Sequence, residues 1–380
     1  MTVFVSGPIN LVRLEGVVDN QKKVFYIYFD VHNPIKEQSE CVQEGIHIRD
    51  YFTSIFQKLS KQDNNKKLDF FLEALPDTSS YKNKSRGIYL RELRTMFEEI
   101  FRFKFEENKV LISKEFPKIR LHYLDVRAYL SFSSTGKPAG LIEVMDKFLV
   151  SFKNDNLNEG DISKLKDGIS ILDTQLAMVH DAFFDGVKNV EKVPIIRKVP
   201  QSPISYIGND ALKTFNYLIN KIKNVYAHKD VKETMNKLMK NELKDYFDEY
   251  YKAYDKLMIY IDDKPTIKPK ALDEVFGDYH DSVLNLYALL MDFYCLRRIL
   301  DKDYVTTGII YTGALHSSNY VRLLVNYFDF KITHVYYSKI PIKEIHKKIK
   351  GFTTDDLMDI FVKPDAIQCI DVSKFPPNFE

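Results

Sequence analysis

Two histidines stand where strongly apolar runs stop, in Phe29-Asp30-Val31-His32-Asn33-Pro34 and in Thr312-Gly313-Ala314-Leu315-His316. Two further apolar runs end in Leu72-Glu73-Ala74 and Leu124-Asp125-Val126-Arg127. An imidazole beside a carboxylate can be a general base with the group that orients it, or a ligand set for a divalent ion. His32 and His316 are therefore candidates for base or metal ligand. Glu73 and Asp125 are candidates for acid, base or ligand, and Arg127, with its forked donors, for anion stabiliser. Asp30 joins the two histidines as a candidate metal ligand. In an extended chain residues two apart share a face, as Asp30 and His32 would, and Asp125 and Arg127. Gly313 permits close backbone approach at the bend before His316. Ser317, Ser318 and Asn319 suit the cap of a following helix, whose N-terminus favours an anion. The plainer reading of each acid is a helix cap or an ion-pair partner. The remaining histidines, among them His122 and His334, have no such placement and read as surface or satisfied core.

Positioning these groups requires particular elements. Leu11–Val18 and Lys23–Val31 are β-rich runs separated by the polar Asp19-Asn20-Gln21-Lys22, which predicts a hairpin. Val24–Phe29 is apolar on both parities, as a strand covered on both faces would be. A helix with Ile48, Phe52, Ile55, Phe56 and Leu59 on one side follows, then a strand at Leu68–Leu75, a helix at Ile88–Phe105 and a strand at Ile119–Val126. From about Leu141 to Leu300 the patterns are helical: Leu141–Phe152, Ile162–Phe184, Ala211–Tyr226, Val231–Tyr260 and Leu272–Leu300. The seam of the fourth includes Met235, Leu238, Met239, Leu243, Phe247 and Tyr250. Strands then return at Thr306–Thr312, Ile332–Ser338 and Ala366–Val372, with short helices between. The predicted fold class is α/β: a mostly parallel sheet built from both chain ends, with a large all-helical insertion. The expected divisions are 1–127, 128–302 and 303–380. In an open parallel sheet ligands bind beyond the carboxyl ends of the strands, where these groups would collect.

Composition excludes more than it names. The chain has 380 residues, 45% hydrophobic and 28% charged, ordinary globular values that rule out disordered and fibrous classes. Lys+Arg 55 against Asp+Glu 53 leaves a formal charge of +2, so there is no strong nucleic-acid signal. No apolar run reaches the roughly 18 residues of a membrane span. Three scattered cysteines exclude a disulfide framework and a cysteine zinc site, and point to a reducing, cytoplasmic setting. There is no G-x-x-x-x-G-K-[ST], G-x-G-x-x-G, H-E-x-x-H or G-x-S-x-G. The wealth of lysine, tyrosine and phenylalanine without tryptophan is what an AT-rich genome supplies.

Asp30-Val31-His32 resembles the D-x-H opening of calcineurin-like metallophosphoesterases, but the G-D-x-x-D and G-N-H segments of that family are missing. The order His32, Glu73, Arg127, Gly313-Ala314-Leu315-His316 looks more like the erythromycin-esterase, ChaN and TraB/Tiki superfamily. Its members carry a strand-end G-x-x-H, a glutamate, an arginine and a second G-x-x-H. Phe29 stands here where the first motif has glycine. That resemblance implies an α/β core and a hydrolase, esterase or metal-dependent, with a divalent metal as candidate cofactor. Ser6-Gly7-Pro8-Ile9-Asn10, Tyr311–His316 and Gln368–Lys374 resemble an uncharacterised protein family of mimivirus-like giant DNA viruses. That resemblance implies host cytoplasm or virion as location. The alternative function is a non-catalytic viral structural or interaction protein, with the helical insertion as surface for a protein partner.

Overall fold

The computed structural model describes residues 2–32, 41, 44–74, 88–101, 103–104, 109–110, 113–130, 159–184, 209–262, 269–365 and 367–379. The expected helix at 141–152 lies outside them. Two compact units emerge, residues 1–125 with 298–380, and residues 126–297.

In the first unit, β2 (Asn10–Val18) and β3 (Gln21–Asp30) form an antiparallel hairpin with Val18 opposite Gln21. The turn is only Asp19-Asn20, both at positive φ (48° and 62°), the two-residue form whose twist matches the strands. Beyond β3 the sheet continues through β9 (Thr307–Gly313), β5 (Leu68–Leu72) and β8 (Ile119–Tyr123), all parallel. On its other side β10 (Lys331–Val335) pairs antiparallel with β2. The six-stranded order is β10-β2-β3-β9-β5-β8. It is a mixed sheet, parallel through β3, β9, β5 and β8 and antiparallel at the hairpin edge. The mostly parallel expectation therefore holds only for that part, because β2 is joined to β3 by a tight turn and β10 returns beside it.

Residues expected in a last strand of this sheet pair elsewhere. β11 (Cys369–Asp371) runs antiparallel to β1 (Phe4–Ser6), which also pairs with β4 (Ile46–His47) in a separate small sheet, and β6 (Phe103–Lys104) pairs antiparallel with β7 (Lys109–Val110) in another.

Every residue of β9 and β5 is buried, as parallel strands covered on both faces require. On one face Tyr26, Tyr28, Phe70, Leu121, Ile309 and Tyr311 pack under α1 (Ile48–Lys61) and α2 (Tyr89–Ile100). The apolar stripe Ile48, Phe52, Ile55 and Phe56 gives α1 its buried side. On the other face Phe25 stacks on Phe330, and Phe29 meets Phe361 edge-on. Removing these rings from water supplies most of the drive to form the layers.

The second unit is helical among the described residues. It holds α3 (Arg127–Leu130), α4 (Glu159–Phe184), α5 (Asn209–Lys223), α6 (Lys229–Asp262) and nearly all of α7 (Pro269–Leu300). The α6 seam buries Met235, Leu238, Met239, Leu243, Phe247 and Tyr250. Inside it Tyr250 Oη donates to Asp173 at 2.9 Å and Tyr287 Oη to Gln175 at 3.1 Å, the partners such buried hydroxyls need.

The first unit is completed by α8 (Ala314–Phe328), α9 (Ile342–Lys348) and α10 (Thr354–Phe361). Thr353 and Asp356 form a reciprocal capping box at the start of α10.

Candidate functional site

The register of the parallel strands decides what meets at their carboxyl rim. Asp30 pairs with Gly313 across β3 and β9, and Glu73 N–H donates to the Tyr311 carbonyl at 3.1 Å, directly beyond β5. Three neighbouring strands thus deliver Asp30, Glu73 and His316 to one edge.

There, His32 Nδ1 lies 3.4 Å from Asp30 Oδ2 and His32 Nε2 lies 3.7 Å from Glu73 Oε2. His316 Nε2 lies 3.5 Å from Glu73 Oε1. Carboxylate, imidazole, carboxylate and imidazole alternate in a chain. Asp30, Glu73 and His316 are buried, whereas the His32 side chain is 38% exposed.

The approach of His32 to Asp30 does not come from extended alternation. β3 ends at Asp30, and His32 takes a left-handed backbone (φ 55°), uncommon for a residue with a side chain. Its N–H donates to Asp30 Oδ1 at 3.0 Å, an Asx-type turn that swings the ring back over the strand end. Gly313 must be small: a Cβ there would lie 2.9 Å from His32 Nε2 and 3.4 Å from Glu73 Oε2.

α8 begins at Ala314, so His316 stands in its first turn and Ser317 to Asn319 lie inside the helix rather than capping it. The anion at this N-terminus is Glu73, whose Oε2 accepts the Gly313 N–H at 2.7 Å. Ser317 Oγ instead lies 2.8 Å from the Thr312 hydroxyl and donates to the Tyr28 carbonyl at 3.0 Å.

The electrostatics of His32 follow from this geometry. Burial disfavours its charge, but the Asp30 and Glu73 carboxylates outweigh that and hold its pKa up to about 10. It is an imidazolium at neutral pH.

The cluster has a partner from far along the chain. Gln368 Nε2 donates to Asp30 Oδ1 at 3.0 Å and to the Gly7 carbonyl at 2.6 Å, while Gly7 N–H donates to the Gln368 carbonyl at 3.0 Å. Nothing local marks Gln368, which is 338 residues from Asp30. The next residue, Cys369, is disulfide-bonded to Cys41. The three scattered cysteines thus contain one bonded pair, short of a framework but enough to remove the basis for a reducing setting.

Asp125 and Arg127 are placed differently from the expectation that they share a strand face. β8 stops at Tyr123, and Arg127 opens α3. Asp125 is the last residue of the first unit's opening segment and Arg127 belongs to the second unit. The cluster described above is one of Asp30, His32, Glu73 and His316. No three donor atoms of these four side chains lie within 4.8 Å of one another, the spacing at which side chains share an ion.

A second buried polar group on the sheet was not anticipated as a unit. Asp69 accepts two bonds from Arg120, at 2.7 and 2.6 Å, and lies 2.8 Å from His122 Nε2. Arg298 lies 2.9 Å from the other nitrogen of His122. Burial, with the Arg298 charge adding to it, pushes His122 down to about 4. His122 is therefore a satisfied core histidine. Asp69 within Leu-Asp-Phe-Phe-Leu was the available signal, since a carboxylate in an apolar strand demands partners.

The fold and the rim define a mixed α/β protein with an acid–imidazole cluster at the carboxyl edge of its parallel strands. The chain belongs to a family of unknown function, DUF5847, whose model matches residues 3–270 and 271–380. It is 32% identical to the uncharacterized protein R706 of Acanthamoeba polyphaga mimivirus, over 99% of this chain and 97% of that protein. The mimivirus proteins R161 and R160 are 28% and 29% identical over 100% and 99% of this chain, and 98% and 97% of their own lengths. No solved structure matches, so the likeness to the esterase superfamily gains no structural counterpart. Among the described residues no helix is long and apolar enough to cross a membrane.

Proposed function

We propose that the carboxyl-rim cluster is a hydrolytic site acting on an ester, with His32 as the group presented to the substrate. The observation that carries this reading is the alternation Asp30–His32–Glu73–His316 with only the His32 ring substantially open to solvent. An imidazolium held at about 10 does not take up a proton near neutral pH. His32 therefore acts as a fixed cationic donor to the oxygen that gains charge, and the base within reach is the Glu73 carboxylate. Asp30, held by Gln368, fixes the His32 ring, and His316 fixes Glu73 from its other oxygen. The metal-dependent form of this chemistry would need the donor atoms to rearrange, because they are too spread to share an ion as they stand.

The test is a panel of para-nitrophenyl acyl esters and phosphodiesters, assayed with the wild-type protein and with His32→Gln and Glu73→Gln. Turnover by the wild type that falls at least about a hundredfold in both variants is the expected outcome, the scale of losing one preorganised donor. Absence of wild-type turnover, or full turnover by His32→Gln, would remove the enzymatic reading.

One observation favours the other reading, a non-catalytic structural or interaction protein of the virion or viral factory. Glu73 caps α8 through the Gly313 N–H, so the cluster is also a polar staple that a stable core can use with no substrate at all. In that reading the helical unit carries the surface for a protein partner.

A further inference from the structure

Beside the rim cluster, distant parts of the chain meet in the small sheet of β1, β11 and β4. Gln368, which donates to both Asp30 Oδ1 and the Gly7 carbonyl, is followed directly by Cys369, the first residue of β11. Cys369 stands opposite Ser6, the last residue of β1, and Ser6 leads into Gly7. On both strands, therefore, the Cys41–Cys369 disulfide adjoins the paired hydrogen bonds between Gly7 and Gln368. A path of covalent and hydrogen bonds runs from Cys41 through Cys369 and Gln368 to the Asp30 carboxylate beside His32.

Once that disulfide opens, little is left to hold Gln368. β11 has only three residues and lies at the edge of its sheet, paired with β1. So short an edge strand opens easily without a covalent tie. Cys41 is seated more tightly: its sulfur lies 3.3 Å from Ser6 Oγ, and a Cβ on Gly45 would lie 2.6 Å from it. Two thiols cannot stand at bonding distance, so opening the bond makes Cys369 the side that gives. A reductant has access, because Cys41 is only half-buried whereas Cys369 is buried.

We propose that the Cys41–Cys369 disulfide is a redox switch for the rim cluster, holding Gln368 on Asp30 when oxidised and releasing it when reduced. The reductant is a dithiol. Its thiolate attacks the Cys41 sulfur, forming a mixed disulfide and expelling Cys369 as a thiolate that takes up a proton. The second sulfur of the reductant then closes on the first and expels Cys41, which is protonated in turn. Two electrons and two protons pass to the protein, the reductant leaves as a cyclic disulfide, and exchange with a small disulfide reverses the step. Without Gln368, buried Asp30 keeps the His32 N–H on Oδ1 but loses the donor that fixed it. A buried carboxylate short of a donor turns toward water, and the His32 ring loses its fixed neighbour. The switch acts through the geometry of the cluster and holds whether or not the cluster is hydrolytic.

The experiment compares NMR spectra of the full chain, at one pH, before and after reduction with dithiothreitol. Mass spectrometry after alkylation establishes in each sample whether the bond is open. On reduction the His32 ring and the Gln368 side-chain amide should shift, while the ring of His122, buried on β8 of the main sheet, should not. The Gly7 amide, which donates to Gln368, should exchange with solvent at least about tenfold faster. Gln368→Ala should put the His32 ring at its reduced position in the oxidised protein and abolish its response to dithiothreitol. An unmoved His32 ring, or unchanged Gly7 exchange, in fully reduced protein overturns the proposal. So does a His122 shift as large as that of His32, which marks general loosening, or a His32 response that persists in Gln368→Ala. Reduction needs no substitution, so the wild type decides the matter even where the variant does not fold.

Discussion

His32 is the residue on which the rim chemistry turns, and its charge can be measured directly. Its folded pKa, about 10, lies above the ordinary value of 6.5. Its contribution to stability is therefore complete below about pH 6.5 and is lost as pH rises through 10. In an NMR titration the His32 ring should stay protonated at pH 8, and Glu73→Gln should move its midpoint down. A midpoint at or below 6.5 in the wild type would show that the two carboxylates do not hold the proton. Gly313→Ala makes a steric prediction at the same place. The added methyl would crowd His32 Nε2 at 2.9 Å, so the ring must move, at a cost of about 1–3 kcal/mol. An unchanged unfolding midpoint and unchanged His32 shifts would contradict that placement. The histidines and Glu73 were legible in sequence because polar residues end apolar runs. The turn that folds His32 onto Asp30 was not, because it depends on a left-handed backbone at a residue with no local marker for one.

At the scale of elements, the buried group around Asp69 ties β5, β8 and the end of α7 together. Asp69 is fully buried and bonded to Arg120 and His122. Asp69→Ala would leave Arg120 without its buried partner and should cost about 3–5 kcal/mol, read as a fall in the denaturant midpoint at constant slope. A loss under 1 kcal/mol would mean that the network contributes little. His122, pushed down to about 4 from 6.5, favours folding above pH 6.5 and gives that up as pH falls toward 4. The helices α4 to α7 follow apolar periodicity and the strands β3, β5 and β9 are apolar runs, and the sequence reading places them within a few residues, whereas the short α3 carried no such pattern. Strand direction does not follow from periodicity. The polar turn at Asp19-Asn20 did make β2 antiparallel to β3 legible, but nothing local showed that β10 returns antiparallel beside β2 or that β11, β1 and β4 form a separate sheet.

At the scale of the whole molecule, the Cys41–Cys369 bond links residues 328 apart in sequence. Closing so long a loop restricts the unfolded chain, and a native disulfide of this kind contributes about 2–4 kcal/mol. Cys369→Ser, or reduction of the wild type, should lower the melting temperature by several degrees. Mass spectrometry under non-reducing conditions should find only Cys295, which is buried and outside the disulfide, available for alkylation after unfolding. Three alkylated cysteines without reductant would show that the bond is not formed.

Residue order alone determined that this chain builds strands at both ends and helices between, because burial imposes periodicity locally and each segment carries its own record of it. It also put imidazoles and a carboxylate where strands stop. Only the tertiary structure decided that Gln368 and Gly7 hold Asp30, that Glu73 serves two histidines and a helix at once, and that two distant cysteines meet. Such pairings are set by register and chain closure, and a contact between residues hundreds of positions apart leaves no trace in the neighbourhood of either.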